Sequence, residues 1–178
     1  MKALNLSYLD LYLIHAPWPW GERGSTNYDA ANVEVWKAMQ DIYASGQVKA
    51  IGVSNFNVHD LQNILDHADI KPMVDQIRYF VGYTEPETTK FAKDNDILVE
   101  AYSPLATGGI LENLDIKKIA DKYGVSVAQL AIKFVLQNDV LPLPKATHKQ
   151  HIENNTQLDF EISSDDMKTL NGLTATDM

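Results

Sequence analysis

Five short apolar segments rich in β-forming residues, at 9–15, 48–54, 73–79, 97–103 and 140–144, recur along the chain with helical stretches between them. That alternation is the tightest constraint on the fold. Apolar strands separated by helices are buried as a parallel sheet that the helices cover. The intervening stretches carry helical signals of their own. In 31–46, Val33, Trp36, Met39, Ile42 and Tyr43 share one face and Gly46 closes the helix. Leu61, Ile64, Leu65 and Ala68 repeat that spacing after the second strand, and Pro86 suits a helix start after the third. The fourth gap holds two helices split by Gly124, and Ser163 or Ser164 caps a short helix near the end of the sequence. No low-complexity stretch or hydrophilic linker interrupts the pattern, so a single domain over 1–178 is expected.

Composition then removes several classes of function. The 178 residues are 45% hydrophobic, enough for a real core. A net charge of −9 argues against a nucleic-acid surface and against docking on anionic lipid, so an anionic ligand needs a local basic spot. Without cysteine there is no disulfide, thiolate chemistry or zinc–thiolate site. No apolar run approaches the roughly 20 residues of a membrane span, and MKALNLSYLD does not read as a signal peptide. A cytoplasmic location follows as the expectation.

In parallel α/β folds, function gathers at the carboxyl ends of the strands. The first segment here ends in His15, the second in Ser54-Asn55, the third carries Gln76, the fourth ends in Tyr102-Ser103, and the fifth leads into Lys145. Each strand thus delivers a hydrogen-bonding side chain, which points to a polar site along one rim. Residue by residue, plainer roles compete. His15 reads equally as a partly exposed strand end, Ser54-Asn55 as a helix N-cap, and Tyr102 as core filling. Gln76 is harder to dismiss, because a buried amide without partners costs about 1–3 kcal/mol. Beyond Lys145, the residues His148, Lys149 and His151 crowd the first turn of the next helix, with Thr147 or His148 as cap. Cations there oppose the helix dipole unless an anion binds, which makes this the phosphate-site candidate, against the plainer reading of a solvated charged turn. A metal held by His148 and His151 lacks a convergent carboxylate, and none is expected.

Taken together, the strings LDLYLIHAPWP, GQVKAIGVSNFNVHDL, VDQIRYF, LVEAYSPLATGG and LPLPKATHKQHIENN, in this order and spacing, resemble the aldo-keto reductase family over residues 1 to about 172. The resemblance implies a parallel (β/α)8 barrel of which five βα units are present, the fourth to eighth strands. An open five-stranded parallel sheet is the alternative architecture. It also implies reduction of aldehydes or ketones to alcohols with NADPH, NADH being the alternative cofactor, bound without a Rossmann glycine fingerprint. By the same resemblance His15 is the catalytic histidine that orients the substrate carbonyl. Ser54, Asn55 and Gln76 hold the nicotinamide carboxamide, and Tyr102 stacks on the nicotinamide ring. Ser103 and Leu105 run along the pyrophosphate, Lys145 pairs with the adenosine 2′-phosphate, and Asn155 contacts adenine.

Four positions depart from the family pattern. Ala16 stands where a tryptophan is usual, which leaves Trp18 or Trp20 to wall the substrate pocket. Ala146 replaces a serine, His151 an arginine near the phosphate, and Asn154 a glutamate. An imidazole lacks the bidentate fork of a guanidinium. The family's catalytic Asp, Tyr and Lys belong to strands upstream of Met1, so the chain is expected to be truncated and inactive alone. Its partners are then a small carbonyl substrate and a missing N-terminal segment or a second copy that completes the barrel. A non-catalytic dinucleotide-binding or assembly module is the alternative function.

Overall fold

The computed structural model describes residues 2–19, 21–22 and 26–177. Its strands are β1 (Tyr12–Ile14), β2 (Ile51–Ser54), β3 (Val74–Arg78), β4 (Leu98–Tyr102) and β5 (Leu141–Leu143). They form one parallel sheet in the order β1-β2-β3-β4-β5. Consecutive order, without the reversal that a doubly wound sheet needs, is the order of a (β/α) barrel wall. The helices are α1 (Asp29–Ala44), α2 (Val58–Leu65), α3 (Pro86–Asp94), α4 (Leu114–Tyr123), α5 (Val127–Gln137), α6 (Lys149–Thr156) and α7 (Ser164–Asn171). Among the described residues, no helix is long and apolar enough to cross a membrane.

By backbone contacts the chain sorts into two compact units, residues 1–77 with 87–98 and residues 78–86 with 99–178. In the first, β1 pairs with β2 at Tyr12↔Ile51, Leu13↔Gly52 and Ile14↔Val53, and β2 with β3 at Val53↔Asp75 and Ser54↔Gln76. All four residues of β2 are buried, as a strand covered on both faces requires. Helix α1 buries Trp36 and Met39 from the expected face, while Val33, Ile42 and Tyr43 are half-buried. Two polar ties fix it: Trp36 Nε1 donates to the Ile70 carbonyl at 2.8 Å, and Gln40 Oε1 accepts from the Ile70 N–H at 2.6 Å. Helix α2 opens on a capping box. Asn57 Oδ1 accepts from the Asp60 N–H at 3.0 Å, and the Asp60 carboxylate accepts from the Asn57 N–H at 3.1 Å.

In the second unit β4 pairs with β5 at Glu100↔Leu141, Ala101↔Pro142 and Tyr102↔Leu143. Its core gathers Ile110, Ile116, Leu130, Phe134, Val135 and Leu170, all essentially inaccessible. Ser126 and Gln129 make a second capping box at the start of α5. Gln137 grips the Ile162 peptide from both sides, at 3.0 and 2.8 Å. Helix α7 starts at Ser163, the first of the two serines expected to cap it, whose Oγ accepts from the Asp166 N–H.

An ion-assisted cluster joins α4 to α7. Tyr123 OH donates to Asp166 Oδ2 at 2.7 Å and accepts from the Ser163 N–H at 2.9 Å, while Lys122 Nζ lies 2.5 Å from Asp166 Oδ1. The Lys122 ammonium, then the Tyr123 hydroxyl, hold the Asp166 carboxyl below its ordinary range. Replacing Tyr123 by Phe is expected to destabilise the fold by about 1 kcal/mol in urea titration. A carboxyl depressed in the folded state contributes stability above its unfolded pKa and loses it as pH falls through the folded one. The stability gap between wild type and Asp166→Asn should therefore be full at pH 6 and shrink towards pH 3.

Candidate active site

Parallel pairing brings four of the sequence-derived site residues together in the first unit. Ser54 closes β2 and lies opposite Gln76 in β3, and His15 follows β1 directly. Ser54 is 3% exposed, and its hydroxyl donates to the Gln76 carbonyl at 2.7 Å. Asn55 Nδ2 donates to the His15 carbonyl at 2.9 Å and to Ser54 Oγ at 3.0 Å, while the Asn55 N–H donates to the same Gln76 carbonyl at 3.0 Å. Asn55 holds the left-handed conformation, φ 60°, that asparagine tolerates better than most residues. The helix-cap reading of Ser54-Asn55 is thereby corrected. The cap is Asn57, and Ser54 and Asn55 tie the ends of β1 and β2 to the middle of β3 instead. His15 is exposed, and the turn after it is pinned by Asn32 Nδ2 donating to the Pro17 carbonyl at 3.0 Å. Trp18 is half-buried in that turn, and Trp20 lies outside the described residues.

The second unit holds a cavity of about 640 Å³, within the size range of small-molecule sites. Ser103, Leu105, Lys145, His151 and Asn155 all line it, five residues that the sequence singled out for the cofactor. Ser103 and Leu105 come from the segment after β4, Lys145 from the end of β5, and His151 and Asn155 from α6. Tyr102 is the last residue of β4, half-buried and directly before Ser103.

The wall also includes Thr107, Gly108, Leu111 and Ser126, which the sequence reading passed over. The capping-box pattern at Ser126 was the available signal for one of them. Lys145, His148, Lys149 and His151 are exposed, and the first turn of α6 carries no acidic residue. The rings of His148 and His151 meet edge to face at 5.5 Å, and Lys149 lies 3.6 Å from Glu153. Of the two residues expected to cap this helix, His148 takes the N-cap position, though without a side-chain capping bond, and Thr147 does not. Helix-terminal N–H groups beside lysine and histidine suit a phosphate. Burial pushes the hydroxyl of Tyr79, in this unit, up to about 12, so it stays protonated at neutral pH.

Residues 1–175 match the Aldo/keto reductase family. The chain is 41% identical over 175 residues to a glyoxal reductase of Bacillus subtilis, a match covering 97% of this chain and 59% of that protein. In structure it resembles an aldo-keto reductase from a Medee basin deep-sea metagenome library, with TM-score 0.87, 35% identity, and coverage of 99% of this chain and 64% of that one. A Bombyx mori aldo-keto reductase in complex with NADP gives TM-score 0.85 at 29% identity, covering 98% of this chain and 60% of its own. The chain thus spans about three fifths of the length of these proteins.

The strand-end ties make a direct test. Asn55→Gly removes the side-chain amide but keeps the left-handed backbone accessible, whereas Asn55→Ala removes both. The alanine variant is expected to be less stable than the glycine variant by about 1 kcal/mol, read from denaturant midpoints.

Proposed function

We propose, for a chain that belongs to the aldo/keto reductase family, that it is the nucleotide-holding part of an NAD(P)H-dependent reductase converting an aldehyde or ketone to an alcohol. The observation that carries this reading is the cavity lined together by Ser103, Leu105, Lys145, His151 and Asn155. Its donor set fits a phosphorylated nucleotide. Lys145 and His151 would meet the adenosine 2′-phosphate, Asn155 the adenine, and Ser103 with Leu105 the pyrophosphate. A protein of net charge −9 repels a polyanion over most of its surface, so clustering of basic residues at this mouth has a use.

When bound, the reduced nicotinamide supplies the hydride that the carbonyl carbon receives. In this reading Ser54, Asn55 and Gln76 hold the carboxamide, with Ser54 as an acceptor because its own proton is already on the Gln76 carbonyl. Tyr102 offers its ring as a stacking face. His15, exposed at the end of β1, donates a hydrogen bond to the substrate oxygen and so favours the negative charge that develops there. Trp18 and Trp20 would wall the substrate side. In the family pattern the proton that completes the alcohol is supplied by a tyrosine that none of the tyrosines here matches. Binding and turnover are therefore separable in this chain.

The chain is expected to bind NADPH, seen as quenching of tryptophan fluorescence, while reducing glyoxal negligibly. Adding the part of a relative that this chain does not span is expected to confer turnover. Lys145→Ala should weaken NADPH by about tenfold and NADH much less, because only the former carries the 2′-phosphate. Equal loss for both nucleotides, or none for either, overturns the assignment of the phosphate to this cavity.

A further inference from the structure

The segment that forms one wall of the cavity is held in an unfavourable backbone conformation. Ser103, Ala106 and Thr107 take φ values of 51°, 49° and 55°, and Gly108 takes 101°. Three left-handed non-glycine residues within five positions persist only where the surroundings over-determine them. Local bonds supply part of that restraint. The Ala106 N–H donates to the Ser103 carbonyl at 2.8 Å, and the Gly108 N–H to the Leu105 carbonyl at 2.8 Å. Such bonds close a turn but do not fix it against the rest of the unit.

Residues 176–177 supply an external brace. Thr176 is 3% exposed, and its hydroxyl donates to the Val81 carbonyl. Gly82, at φ 98°, makes room for it, since a Cβ at that position would collide with the Thr176 side chain. The Thr176 carbonyl accepts from Asn113 Nδ2 at 3.2 Å, and the same Asn113 side chain caps α4 through the N–H groups of Asp115 and Ile116. Asp177 accepts from Arg78 at 2.8 Å, and that guanidinium lies over the rings of Phe80 and Tyr83. The Asp177 backbone backs directly onto Gly109, where a Cβ would stand 3.1 Å from the Asp177 carbonyl oxygen. One two-residue stretch thus touches the 78–83 loop, Gly109 within the strained segment, and the helix cap that ends it.

We propose that Thr176 and Asp177 are positioning residues for the cavity: they hold segment 103–111 in its left-handed form and so set the wall along which the nucleotide pyrophosphate lies. The holding role rests on geometry alone, and its consequence for the nucleotide rests on the reading given above. Neither residue lines the cavity, so a loss of binding on their substitution would be transmitted through the wall.

The test uses the full chain with Thr176→Val, Thr176→Ser, and Asp177→Asn as a milder second perturbation. Amide hydrogen exchange at 103–111 is expected to accelerate about fivefold in Thr176→Val and Asp177→Asn, with the core amides of α5 unchanged and Thr176→Ser close to wild type. NADPH affinity should fall by about the same factor, while 2′,5′-ADP, which lacks the pyrophosphate bridge, should bind these variants as it binds wild type. Unchanged exchange at 103–111 overturns the proposal, as does an equal rise in exchange across α5. A wild-type chain that fails to bind NADPH while the variants still loosen 103–111 refutes the nucleotide reading and upholds the brace.

Discussion

Parallel strand pairing is the constraint on which the rest of this structure depends. In a parallel ladder the residue after each strand emerges beside the residue after its neighbour, so one short register decides which side chains meet. Ser54↔Gln76 in the first unit brings a hydroxyl against a carbonyl 22 residues away, and Asn55 then reaches back to the His15 carbonyl. Tyr102↔Leu143 in the second unit sets Ser103 and Lys145 on the same edge. A register slip in either pair would take these residues apart and turn the apolar faces outward. The polar constellation is thus a consequence of how the apolar strands align.

Strand ends in both units use the same backbone device. Asn55 after β2 and Ser103 after β4 are left-handed, at φ 60° and 51°, which turns the chain sharply away from the sheet. Sharp exits keep a following polar side chain at the rim instead of extending the strand into solvent. They also concentrate strain where a ligand would sit, and strained positions persist only with support from elsewhere. At Asn55 the support is the residue's own amide. At Ser103 it comes from the turn that follows and from residues distant in sequence.

Much of this was legible from the sequence, for identifiable reasons. Apolar runs and helical spacing located all five strands and the helices around Trp36, Leu61 and Leu130, because burial imposes periodicity on every residue of an element. Exact ends were not legible: β1 and β5 are three residues each, shorter than the apolar runs that contain them. Ser54-Asn55 looked like a cap because serine and asparagine suit caps, and so does Asn57 two positions later. Only the position of the Gln76 carbonyl decides between them. Thr176 and Asp177 belong to no periodic pattern, and what marks them is their contacts with Arg78, Val81, Gly82, Gly109 and Asn113. Nothing local in a sequence records a contact of that range.

The basic cluster shows how local chemistry can oppose the average. With 24 acidic residues against 15 Lys and Arg, many exposed lysines find an acidic partner close by. Lys49, Lys71, Lys90, Lys117 and Lys122 each meet an aspartate within 3.1 Å. Those exposed pairs contribute little to stability, but they neutralise the surface lysines. In the cavity the balance differs, since its lining contains Lys145 and His151 but no carboxylate. For the phosphorylated nucleotide proposed above, the average field of an acidic protein is repulsive and this lining is the place where that repulsion is weakest. In the reading proposed above, a lining without carboxylates would favour a phosphorylated ligand as much as Lys145 itself does.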